Sequence, residues 1–527
     1  MKLTNHKHQS WFKVTPLNSN WIIAFSVYLI LVWGFAILRA QYMWITGDDP
    51  NLLVQSILTR EGQRPNFDFK SGYPGLSQFT QSLLMKVFGV NLFSQHLYTA
   101  ILSTITGFLI CINFSKSPAW ILSTGLIIVY CQEHLVNPTP NPGHLFINIV
   151  LFSYTLNKKL QIKNNIMRAS LVAFLLGISF LAKQYAIIIF ISYIILQISQ
   201  VKDFKNIRYK NKINLLIGLL VALSYYYFLI PNSRLKIDAL INLVICSIPF
   251  LALMYLDSKN EFNPGIIRLK ELLAIIASSL IVFIFTIFVG LSMLYGTFEI
   301  NELLRRILFD MPKEINLNLV LMQFSIKNIL QMLSFLLFLI LVLFINFYNN
   351  KTNSNKIINS LKILVCIGIA VFLFSQVGNL SANLVISILP TLIIILFFKY
   401  LQKDLSKYKP YLFALACYQF VLIPYPNINF HIAVFIFGLL VLTSTISSFN
   451  SNKQISIAML LPILLVSALL YKENRDMSSM KSYSFSGITF KSSDINWEYE
   501  IISASKAGNN MANCSTYGCK FLVLIAK

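Results

Sequence analysis

Charge is scarce in this sequence. Of its 527 residues, 12% are Asp, Glu, Lys or Arg, while 56% are hydrophobic. Soluble domains carry about a quarter charged residues, so the shortfall excludes an ordinary soluble domain and points to a chain crossing a bilayer repeatedly. Also missing are the alternating segments of roughly ten residues that build a membrane β-barrel. Apolar runs of helical length recur instead from Trp21 almost to Tyr471, many near the roughly 17–25 residues a spanning helix needs. No His/Cys pattern has zinc-ligand spacing. No internal repeat carries the matched Gly/Pro-broken spans of a transporter. The N-terminal arm MKLTNHKHQSWFKVTPLNSN lacks a small-residue cleavage site, which makes the first run, 21–38, a retained span and not a removed signal.

Positive charge, by contrast, is in excess, with a net charge of +23. Nucleic-acid binding is not the reading, because the basic residues lie in short loops between apolar runs. NKKLQIKNNIMR, VKDFKNIRYKNK and NNKTNSNKIINSLK are examples. Cytoplasmic loops of membrane proteins carry such an excess, and the pattern places the N-terminus inside. The expected spans number about fifteen, among them 21–38, 92–113, 118–131, 143–157, 169–182, 184–199 and 271–295. The first loop (39–91) and the loop QEHLVNPTPNPGH then face out, as does the tail.

The expected organisation is a cytoplasmic arm (1–20), a transmembrane domain (21–470) and a small extracytoplasmic C-terminal segment (471–527). In that tail the alternation in SYSFSGITF predicts short strands. The fold class expected overall is an all-α polytopic bundle of about 13–15 spans with amphipathic helices on its outer surface. Cys514 and Cys519, in NCSTYGCK, fit a disulfide if the tail meets an oxidising compartment, with free thiols as the alternative.

Two adjacent carboxylates, Asp48 and Asp49, follow the first span in ITGDDPNLLVQSILTREG. Pro50 suits a first helical turn with Asp49 ahead of it as N-cap. Leu52, Leu53, Ile57 and Leu58 recur at near-helical spacing, and Gly62 stops the run. The spacing predicts an amphipathic helix on the outer membrane surface. Capping and the helix dipole explain one carboxylate, at roughly 0.3–1 kcal/mol; the second is free for chemistry. The turn-rich PNFDFKSGYPG comes next, with Asp68 and Lys70 expected as a solvated pair, and a second amphipathic helix leads into the span near Leu92.

Phosphate recognition calls for outward Lys or Arg, and Lys183, Arg234, Lys236, Arg305 and Arg306 are the candidates. The bland alternative is snorkelling or facing headgroups. The second outer loop holds Glu133, His134 and His144, too short a pattern for a metal and equally readable as helix-end polarity.

The order of a single span, an acidic pair opening an outer helix, Gly62 fourteen residues after Asp48, and the turn Tyr73-Pro74 resembles the first outer loop of the GT-C membrane glycosyltransferases. The protein-mannosyltransferase and aminoarabinose-transferase-like branch is the most similar. Gly177-Ile-Ser-Phe-Leu-Ala-Lys183-Gln184 is similar to that family's Gly-containing span ending at a lysine. Asp49 stands where Glu is usual, and Tyr73-Pro74-Gly75 replaces a Pro-Pro turn.

The resemblance implies inverting transfer of a sugar from a polyprenyl-phosphate donor to an extracytoplasmic lipid, glycan or protein acceptor. Asp48 would be the general base and Asp49 its partner. Lys183, Arg305, Arg306, Glu133, His134 and Tyr73 would line the substrate. No metal or other cofactor is expected, and no nucleic acid; the partners are the lipid-linked donor, the acceptor and membrane lipids. The expected location is a bacterial inner (plasma) membrane with the site on its extracytoplasmic face. The competing readings are a flippase or transporter of lipid-linked saccharides without chemistry, and a polysaccharide polymerase or ligase with outer arginines as its main site.

Overall fold

The computed structural model describes residues 19–39, 49–69, 71–113, 142–159, 164–199, 268–296, 300–310, 481–485, 488–492 and 497–507, with isolated positions besides. Among the described residues the chain is mostly helical. Among the same residues, four helices are long and apolar enough to cross a membrane: Trp21–Arg39, Phe93–Asn113, Asn165–Ala182 and Leu269–Tyr295.

The first helix, α1 (Ser19–Arg39), buries Ala24, Tyr28, Val32 and Phe35 at helical spacing and leaves Ile23, Val27, Ile30 and Ile37 exposed. An apolar face turned outward costs nothing in hydrocarbon, where association comes from packing and polar contacts. The buried stripe runs antiparallel along α4 (Leu92–Asn113): Trp21 and Phe25 meet Phe108, and the Tyr28 hydroxyl donates to the Ser103 carbonyl at 3.1 Å. Gly107 makes room for the Tyr28 ring, since a Cβ there would fall 2.2 Å from a ring carbon.

Helix α5 (Pro142–Lys159) packs parallel to α4 through buried polar side chains. Thr106 donates to Asn148 Oδ1, Asn148 Nδ2 to the Leu102 carbonyl at 2.9 Å, and Asn113 Nδ2 to Thr155 Oγ1 at 2.8 Å. The side-chain pairs keep a constant offset of 42 residues, which defines a parallel register.

Helix α6 (Asn165–Ala182) starts at an Asn164 cap, whose side chain accepts from the Ile166 and Met167 amides. Satisfying two of the orphan donors extends the helix beyond the apolar run expected at 169–182. It is followed by α7 (Ala186–Ser199), and α6 packs closely on α8 (Leu269–Tyr295). The α6–α8 contact depends on small residues: a Cβ at Gly177 would lie 2.8 Å from Thr286 Cβ, and one at Gly290 would lie 2.3 Å from a Leu181 methyl. Asn165 donates to Glu271 at 2.8 Å near the other end, so the two helices run parallel. Phe283 of α8 stacks flat on Phe190 of α7, ring centres 4.0 Å apart.

Three shorter helices complete the description: α2 (Asp49–Arg60), α3 (Leu76–Phe88) and α9 (Ile300–Arg305), the last continued by a π-helical turn, Arg306–Asp310. In the tail, β1 (Lys481–Phe485) and β2 (Ile488–Ser492) form the expected hairpin. It is antiparallel, from Lys481↔Ser492 to Phe485↔Ile488. Helix α10 (Trp497–Ala507) packs beside β1.

Candidate functional site: the loop after the acidic pair

Helix α2 begins at Asp49 itself, so Asp49 is its first residue and not the cap expected of it; Asp48 lies outside the described residues. The expectation of an amphipathic helix with a free polar face is corrected. Every residue from Leu52 to Thr59 is buried, polar ones included. The polar residues are buried because they meet a matching face on α3. Ser56 donates to Gln81 Oε1 at 2.7 Å, and Gln78 Nε2 donates to Gln55 Oε1 at 2.9 Å. Buried polar groups are tolerated when paired in this way.

Gly62 ends α2 as expected. Its φ is +92°, Gln63 N–H donates to the Leu58 carbonyl at 3.0 Å, and Gly62 N–H donates to Thr59 at 3.1 Å. That pair of bonds is a Schellman cap, whose left-handed residue is cheapest as glycine.

The loop beyond it is a built turn. Asn66 takes φ +64° and donates from Nδ2 to the Tyr73 carbonyl at 2.8 Å, while its amide donates to Phe69. Lys70, expected to pair with Asp68, lies outside the described residues. The Asp68 carboxylate takes the Arg64 amide at 2.7 Å and its guanidinium at 3.2 Å, and these bonds hold its pKa below the ordinary 3.8. The local reason is the tight turn at Asn66, which brings residues four apart together.

Three distant elements hold this loop. Gln184, just after α6, donates to the Gly72 carbonyl at 3.3 Å. Tyr295, at the end of α8, donates to the Pro74 carbonyl and sets its ring against Phe67 and Phe79. Gly75 has φ +112°, and a Cβ there would fall 2.5 Å from the Tyr295 hydroxyl, so only glycine fits. Arg306 donates to the Asn66 carbonyl at 2.7 Å, lies over the Phe67 ring, and pairs with Glu302.

Lys183, the neighbour of Gln184, also meets this loop, at Tyr73. Its amide donates to Ser179, closing α6, and its extended backbone turns the chain. The side chain is 1% exposed, so it does not snorkel. Its ammonium lies 5.3 Å from the Tyr73 ring centre and 5.4 Å from that of Tyr185. Cation–π contacts of a desolvated ammonium contribute about 2 kcal/mol, offsetting part of the cost of burying a charge. His144, buried near the start of α5, is within electrostatic reach of the same ammonium.

Among the expected site residues, the structure thus sets Lys183 against the Tyr73 ring and ties Arg306 to Asn66 of the same loop. Arg305 is exposed on α9. Glu133, His134, Arg234, Lys236, Cys514 and Cys519 lie outside the described residues. Among the described residues no group of three His, Cys, Asp or Glu side chains is gathered as a metal would need. Sequence reasoning passed over Gln184, Tyr295, Asn66 and Gln78. Only Gln184 carried a local signal, its place beside Lys183 between two apolar runs. Compared with known proteins, the chain matches no family model, no curated protein and no solved structure.

Proposed function

We propose that this chain is a GT-C-type membrane glycosyltransferase that moves a sugar from a polyprenyl-phosphate carrier to an extracytoplasmic acceptor. The observation that carries the reading is the buried Lys183 ammonium on the Tyr73 ring, in the loop that follows the acidic pair. A lipid phosphate leaves as an anion, so transfer needs a fixed positive charge beside it more than it needs an acid. Lys183 supplies that charge, and Arg306, tied to Asn66 in the same loop, adds to it.

The acceptor needs a base. Asp48 takes the proton of the acceptor hydroxyl or amine as that atom attacks the anomeric carbon. The carbon–phosphate oxygen bond breaks with its electron pair going to the phosphate, and the configuration inverts. Asp49, held in the first turn of α2, orients its neighbour. The setting is a plasma membrane of bacterial type, with the loop on the extracytoplasmic face.

The test is Asp48→Asn in reconstituted vesicles with a labelled sugar on a synthetic polyprenyl phosphate. Transfer should vanish while protein level and lipid binding persist. Undiminished transfer by that variant ends the base assignment. A wild-type protein that moves the lipid across the bilayer without transferring sugar is a carrier instead.

A further inference from the structure

Helix α3 is amphipathic in the reverse sense to a helix in water. Its buried residues are Ser77, Gln78, Gln81, Ser82 and Met85. On the opposite side Leu83 is 59% exposed and Val87 74%, and Phe88, the last residue of the helix, is 48% exposed. In aqueous surroundings both faces would be on the wrong side, since burying glutamine and exposing large aliphatics each carry a cost. In hydrocarbon both are right.

Two further observations name the occupant of that face. Only Gly89, Val90 and Asn91 separate α3 from α4, one of the helices long and apolar enough to cross a membrane. The exposed apolar surface continues onto α4 through Phe93, Ile105 and Phe108. Lys86, in the last turn of α3, is exposed beside Val87, where its stem can run along apolar surface while the ammonium reaches lipid phosphates. The inward polar face is closed by α2 through the Ser56–Gln81 and Gln55–Gln78 bonds.

We infer that α3 is set into the acyl-chain edge of the bilayer, with Leu83, Val87 and Phe88 against lipid tails and its glutamine–serine face sealed on α2. The segment between the first two candidate spans is therefore part of the membrane-embedded body and not a loop in water. The inference is independent of the glycosyltransferase reading, and its failure would leave that reading untouched.

The test places a benzophenone amino acid at Val87, at Ile105 and at Glu61 in the full chain, in vesicles of phosphatidylethanolamine and phosphatidylglycerol. After irradiation, lipid adducts are counted by mass spectrometry, with Ile105 on α4 setting the yield of a lipid-facing position and exposed Glu61 that of the loop. The expected result is lipid adduction at Val87 equal to that at Ile105 and about tenfold above Glu61. A yield at Val87 as low as at Glu61 would overturn the inference in favour of water. Adducts from Val87 to peptide alone would overturn it in favour of a protein partner or a second copy.

Discussion

Adding one methyl group at Gly75 should loosen the loop clamp, and removing one oxygen from Tyr295 as well should cost less than the two changes added together. Gly75 has φ +112°, and an L-residue held in that region costs roughly 1–2 kcal/mol. The new Cβ would also fall 2.5 Å from the Tyr295 hydroxyl oxygen, and overpacking a buried contact adds about 1–3 kcal/mol. Gly75→Ala is therefore expected to cost about 2–5 kcal/mol. Tyr295→Phe alone removes the bond to the Pro74 carbonyl, a loss of about 1–2 kcal/mol. In the double variant the clashing oxygen is gone. The next atom, ring carbon Cζ, lies 3.4 Å from the added Cβ, an ordinary contact. Only the backbone strain and the lost bond remain, roughly 2–4 kcal/mol together. The pair should be sub-additive by about 1–3 kcal/mol. Denaturant unfolding in mild detergent, followed by circular dichroism, measures all four proteins. Strict additivity would refute the packing of Gly75 against Tyr295.

Two further outcomes are expected. Asn148→Ala removes a buried side chain that accepts from Thr106 and donates to the Leu102 carbonyl, so unfolding of the same kind should show a loss of about 1–3 kcal/mol; no loss would mean the α4–α5 seam is held by packing alone. For Asp68, the bonds from Arg64 lower its folded pKa below 3.8, so their contribution is present above that value and is lost as pH falls through the depressed pKa. Hydrogen exchange at the Arg64 amide, corrected for its intrinsic rate, should lose protection in that acid window and be unprotected throughout in Asp68→Ala; protection independent of pH would contradict the pairing.

The spanning helices were legible because a long apolar run has one physical solution in hydrocarbon, and its ends show as polar residues. Thus α4 runs from Leu92 to Asn113, as its composition predicts. The helix after the acidic pair was legible as a helix but not in its surroundings. Gln55 and Thr59 read as a surface face, since nothing local distinguishes a polar residue facing water from one facing another helix. Their partner face carries Gln78 and Gln81, and matching amides leave no periodic trace of burial. Lys183 stood out because a lysine between two apolar runs must either snorkel or be held. Which it does depends on Tyr73, more than a hundred residues earlier. Asp68 was expected beside Lys70 from their strand-like alternation; its bond to Arg64 depends on the left-handed turn at Asn66, which no local pattern displays.

The three outside holds on the loop come from residues 112, 221 and 240 positions away from what they bind, so the loop records the packing of the bundle and not its own sequence. Gly72 is tied to Gln184 at the end of α6, and Pro74 is tied to Tyr295 at the end of α8. Two residues of chain reach at most about 7 Å when fully extended, and the turn at Tyr73 is already bonded through Asn66. A slide of α8 past α6 by one helical turn, about 5.4 Å, would consume nearly all of that reach and break one of the two ties. Glycines at 177 and 290 bring α6 and α8 close, and the Asn165–Glu271 bond holds their register at one end. The loop adds a constraint at the opposite end. Its ties to both helices lock α6 against α8, and the same ties fix where the Lys183 ammonium lies relative to the Tyr73 ring. A rigid pair of helices and a fixed buried charge are therefore one feature of this fold, set by a turn only a few residues long.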